Sequence, residues 1–86
     1  MEDRQYHMIK KLLLMMIELE ESSPQDWEKI FSIGDDALKY IVENELEREL
    51  DPYFIKFLDD SDVRKKDSKF GGYQRRVIMN LLQHSR

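Results

Sequence analysis

Apolar residues recur along this chain at intervals of three and four, the spacing of one helix face, and no stretch alternates with period two over strand length. The first such segment predicts a helix from Asp3 to Glu21, filled with strong helix formers and carrying only Ile9 and Ile17 as β-branched residues. Ile9, Leu13, Met16 and Ile17 make one stripe, and Met8, Leu12, Met15 and Leu19 make an adjacent one. With Leu14 they cover more than half the circumference. A helix apolar over that width is either central to its fold or shared with another chain.

Ser23-Pro24-Gln25-Asp26 reads as the next helix start, with Ser23 as cap and Pro24 in the first turn. Trp27, Ile30 and Phe31 follow at helical spacing, and Gly34 predicts the stop. Asp35 then caps a third helix, from Asp36 to Glu49, with Ala37, Leu38, Ile41, Val42 and Leu46 inward and Glu43, Glu45, Glu47 and Glu49 outward. Asp51-Pro52 opens a fourth, carrying Phe54, Ile55, Phe57 and Leu58. Residues 61–72 are polar and basic and close with Gly71-Gly72, which predicts a loop holding at most one helical turn. A last helix from Tyr73 to Gln83 turns Val77, Ile78, Leu81 and Leu82 inward, and Arg75, Arg76, Asn80 and Gln83 outward. The fold class expected is all-α: a compact bundle or orthogonal array of four to five short helices in a single domain over residues 1–86.

Size and charge sharpen this picture. A core built from 86 residues is small, and chains of this length often gain stability from a partner, a metal or disulfides. Cysteine is absent, which removes disulfides and thiolate metal sites together and leaves association as the remaining route. Residues 1–62 carry 7 Lys/Arg against 17 Asp/Glu, a balance of −10. Residues 63–86 carry 7 against one, a balance of +6, and the two give the net −4. Such a split either neutralises itself across the fold or presents two faces to two kinds of partner. The start Met1-Glu2-Asp3-Arg4 is acidic, and the apolar run Leu12–Ile17 is six residues long, too short for a span of about 20. No membrane association is expected, and the cytoplasm is the expected location.

Chemistry is hard to find. The two imidazoles, His7 and His84, sit near opposite ends, outside any nucleophile motif, and read as solvated residues. Two His without Cys or an i, i+4 pair do not make a zinc site. Asp59, Asp60 and Asp62 suggest a calcium loop, but one begun at Asp60 meets Arg64, Lys65 and Gly71 where acid, glycine and glutamate are required. Gly71-Gly72 before a helix lacks the preceding strand and spacing of a phosphate loop. The expectation is therefore no catalysis, no cofactor and no metal.

Two constellations point to binding. The nine apolar side chains Met8, Ile9, Leu12–Ile17 and Leu19 exceed what one face of a helix in a small bundle can bury, and methionine adapts to irregular interfaces, which singles out Met8, Leu12, Met15 and Leu19. With Asp36, Glu43 and Glu47 they form the expected protein interface, its partner a protein with a basic surface or a second copy in a homodimer. The alternative is a nucleic-acid-associated factor, in which Arg64, Lys65, Lys66, Lys69, Arg75 and Arg76, interleaved with Phe70 and Tyr73, bind phosphates. The upstream acids oppose a polyanion, so protein is the favoured partner. The leading expectation is a small non-enzymatic regulator, adaptor or immunity-type inhibitor.

Ile33-Gly34-Asp35-Asp36-Ala37-Leu38 resembles the turn within a HEAT-type helical repeat, and Leu58-Asp59-Asp60-Ser61-Asp62-Val63-Arg64 the turn between repeats. The resemblance implies a protein-binding scaffold whose turn Asp and Arg are structural. No second copy is present, whereas such arrays need at least three units.

Overall fold

Helix formers and cap residues divide the chain into five helices in a computed structural model, which describes residues 1–84. They are α1 (Asp3–Glu21), α2 (Trp27–Glu43), α3 (Pro52–Asp59), α4 (Ser61–Lys66) and α5 (Ser68–His84). The fold class is all-α, as the periodicity predicts, and α1 has the bounds read from the sequence.

α1 starts from a capping box, in which the Gln5 side chain accepts from the Glu2 amide at 3.1 Å. Its last turn is closed by the Ser22 hydroxyl, which donates to the Glu18 carbonyl at 2.8 Å. α2 runs antiparallel to it: Met16 lies against Gly34, and the Met1 amino group pairs with Glu49 beyond the far end of α2. α3 and α4 pack on α2, and α5 packs on α3 and α4. The core between the hairpin and these helices is built on Ile9, Leu13, Met16, Ile30, Ile41 and Phe57. A radius of gyration of 12.2 Å matches the roughly 12 Å expected of a folded chain this long.

Four boundaries differ from the sequence reading. Ser23 and Pro24 precede α2 rather than start it; the cap is Asp26, whose carboxylate accepts from the Lys29 amide at 3.1 Å. Gly34 and Asp35 do not separate two helices, because α2 runs unbroken through both. The helix tolerates glycine there, at about 1 kcal/mol relative to alanine, because a Cβ would come within 3.3 Å of Met16 Cε. The missing side chain lets α1 and α2 approach. The turn resembling a HEAT repeat is thus absent at Gly34-Asp35.

α2 ends at Glu43 instead of Glu49. The Glu45 and Leu46 amides donate back to Val42 and Ile41, a Schellman closure, with Glu45 in the left-handed conformation at φ 54° that glycine usually fills. Residues 44–51 are a turn, pinned by buried Leu46 and Leu50. The Asp51 carboxylate then caps α3 by accepting from the Tyr53 amide at 2.9 Å, with Pro52 in the first turn, as read from the sequence.

The expected loop 61–72 is helical as well. α4 occupies residues 61–66, and Asp67 starts α5 by accepting from the Phe70 amide at 3.1 Å. Gly71-Gly72 therefore lie inside α5 and break nothing. A Cβ on Gly71 would meet Arg64 Cβ and its carbonyl at 3.5 Å, ordinary contact, and Arg75 Nη1 at 3.1 Å, so α4 packs directly on this position of α5.

Candidate interaction surface

The hairpin of α1 and α2 turns one apolar stripe inward and leaves the other partly in water. Tyr6, Ile9, Leu13, Met16 and Ile17 are buried. Met8 and Met15 remain 42% and 36% exposed, while Leu12 and Leu19 between them are half-buried. Met15 and Leu19 line a shallow hollow with Lys29 of α2. Lys29, Asp36 and Glu43 recur every seven residues, two helical turns, so they run along the same flank of α2. Of the seven predicted interface residues, four make an apolar row on α1 and two, Asp36 and Glu43, are exposed on the α2 flank whose Lys29 meets that row at the hollow. The seventh, Glu47, is exposed in the turn after α2.

At that end of the hairpin a second feature appears. A cleft of about 230 Å³ is walled by Tyr6, Leu50, Phe54 and Leu81, with Glu49 and Asp51 on its rim. Both carboxylates are engaged within the chain, Glu49 by the Met1 amino group and Asp51 by the Tyr53 amide.

The basic segment is rearranged by the fold. Arg64 is 2% exposed and lies in no surface a phosphate could reach. Its guanidinium grips Glu20 with both ends, Nε to Oε1 at 2.9 Å and Nη2 to Oε2 at 3.0 Å. It also donates to the Gln74 side chain at 3.0 Å, to Ser61 Oγ at 3.2 Å and to the Phe57 carbonyl, so all five N–H groups are used. The Phe57 ring centroid sits 3.6 Å from its central carbon. Arg75, expected to face out, instead donates to Glu20 Oε1 at 2.9 Å. Gln74 completes the cluster by donating to Asp60 at 2.8 Å, and Asp60 in turn pairs with Lys56 at 3.2 Å.

Lys65 leans over the Phe31 ring at 5.7 Å. Lys66, Lys69 and Arg76 stay exposed. The −10/+6 split is therefore partly self-neutralised, with two C-terminal arginines drawn onto one N-terminal carboxylate. Sequence reasoning assigned Glu20 no role. Its position carried a signal, since it falls three residues after Ile17, four after Met16 and seven after Leu13, on the inward stripe.

His7 and His84 are exposed, and no group of three or more His, Cys, Asp or Glu among the described residues could hold a metal ion. No described helix is long and apolar enough to cross a membrane. Comparison of the chain with protein-family models, curated proteins and solved structures returns no match.

Proposed function

We propose that this protein is a small regulator or adaptor, of the kind that includes immunity-type inhibitors, and acts by binding another protein rather than by catalysis. The observation that carries this reading is the half-exposed row Met8, Leu12, Met15 and Leu19 on α1, with the acids Asp36 and Glu43 exposed on the neighbouring helix α2. Thioether side chains left in water keep the adaptability that interfaces use. Carboxylates at the edge of an apolar patch raise the encounter rate with a basic partner and select against acidic ones. Cytoplasmic location, proposed from the sequence, accords with this role.

The nucleic-acid reading has less support. Of its six residues Arg64 is inside the fold and Arg75 gives one of its nitrogens to Glu20, while Lys65 stays exposed over the Phe31 ring. Two of the six cations are thus engaged by Glu20, which weakens the surface offered to a polyanion.

The test compares proteins co-purified from source-cell lysate by the wild type, by the pair Met8→Gln/Met15→Gln, and by the pair Asp36→Lys/Glu43→Lys. One basic protein retained by the wild type and lost by both variants is the expected result. Equal recovery by all three would remove this face from the function. Sedimentation of the wild type alone identifies the other occupant, since a dimer dissociated by Met8→Gln/Met15→Gln would make the partner a second copy.

A further inference from the structure

One carboxylate serves two arginines in the cluster around Glu20, and the surplus positive charge leads to the surface. Glu20 is 1% exposed and already takes both ends of the Arg64 guanidinium. Arg75 reaches it through Nη1 alone, and Arg75 Nε is buried without an acceptor. The next residue, Arg76, is exposed and has no ion pair within 4 Å among the described residues.

The two guanidinium groups converge. A Cβ placed on Gly72 would lie 3.7 Å from Arg76 Nη1 and 4.0 Å from Arg75 Nη2, so both nitrogens approach a point that the glycine leaves open. They border a groove of about 480 Å³ along α5, whose other walls are Met79, Asn80, Gln83 and, from α1, Glu21. Two guanidiniums and two carboxamides offer many donors, while Glu21 is the one carboxylate among the described residues lining it. The missing element is an acceptor carrying negative charge.

We propose that this groove binds a phosphate group, free or as a small phosphomonoester, through Arg75, Arg76 and the Asn80 side chain. Planar guanidinium forks match the spacing of phosphate oxygens and form charge-assisted hydrogen bonds with them. Gly72 admits the anion between the two arginines, and Glu21 at the rim limits its affinity. The site is a point rather than a track: Lys65 lines a different groove, with Trp27 and Phe31. It is independent of the protein-binding face on α1 and α2.

The experiment titrates the purified protein with inorganic phosphate at constant ionic strength, chloride making the balance, and follows backbone and arginine Nε–H resonances. Saturable shifts confined to Gly72, Arg75, Arg76 and Asn80 are expected. Arg76→Gln, at an exposed position that leaves the fold intact, should weaken binding about tenfold, the loss expected for a charge-assisted hydrogen bond. Glu21→Gln should act in the opposite direction and tighten it. Glycerol phosphate binding more tightly than phosphate would identify the ligand as an ester, and equal affinity would identify free phosphate. Shifts that do not saturate, that spread over all surface cations, or that persist unchanged in Arg76→Gln would overturn the site.

Discussion

Helix α1 takes a carboxylate out of water at one end and leaves methionines in it along its flank. Glu20 is 1% exposed, whereas Met8 and Met15, on the same helix, are 42% and 36% exposed. Hydropathy alone would reverse that order. Glu20 is buried because α4 and α5 bring two guanidiniums to it, and because Gln25 closes over its backbone with a hydrogen bond to the carbonyl at 2.6 Å. Met8 and Met15 are exposed because none of the described helices covers that flank. Burial follows the partners that tertiary structure supplies, and a buried ion pair is tolerated only when its remaining hydrogen bonds are met. Arg64 meets that condition with five acceptors; Arg75 meets it incompletely.

The largest expected effect breaks the buried half of this comparison. Glu20→Ala strands Arg64 without its counter-charge and should cost about 3–5 kcal/mol in a urea melt, a large part of the stability of a small domain. A loss below about 1 kcal/mol would mean that the guanidiniums reach water, and the contrast with the exposed stripe would collapse. Arg75→Ala leaves the two-ended Arg64–Glu20 pair in place and removes one charged hydrogen bond, so a smaller loss of about 1.5–3 kcal/mol is expected by the same measurement. A larger loss than for Glu20→Ala would move the centre of the cluster to Arg75.

At the exposed end the sign changes. Glu45→Gly relieves a left-handed residue in the Schellman turn and should raise stability by about 1 kcal/mol. An unchanged melting curve would show that the acidic turn is already unstrained. The smallest effect sharpens the other half of the comparison. Met8→Gln/Met15→Gln should shift stability by no more than about 0.5 kcal/mol, as exposed substitutions generally do, while abolishing partner recovery. A clear loss of stability would instead place the stripe in the core.

Of the fold, the parts legible in the sequence are those fixed by local chemistry. α1 is set by its helix formers and its apolar repeat, and the start of α3 by the cap-then-proline pair Asp51-Pro52. The glycines misled. Gly34 and Gly71-Gly72 look like breaks because glycine is a poor helix former, yet both sites lie inside helices, packed against Met16 and Arg64. Each of these contacts joins two different helices, so neither shows in the periodicity of one helix. The site divides in the same way. The row Met8, Leu12, Met15, Leu19 was visible as a second stripe, and its exposure followed from there being more apolar surface than one face can bury. Arg64 and Arg75 were read as free cations, because nothing local says that they fold onto a carboxylate 44 and 55 residues away.

The sequence by itself therefore determined the helical class, the bounds of α1, the start of α3 and the surplus of apolar surface on α1, since each depends on residues within a few turns of one another. Only the tertiary structure decided that Gly34 and Gly71 are packing positions, that α2 ends at Glu43, and that Glu20 is internal while Met8 and Met15 are not. Those outcomes depend on which distant groups are brought together, and the energy of a charge, a glycine or a methionine is set by those neighbours rather than by its own type.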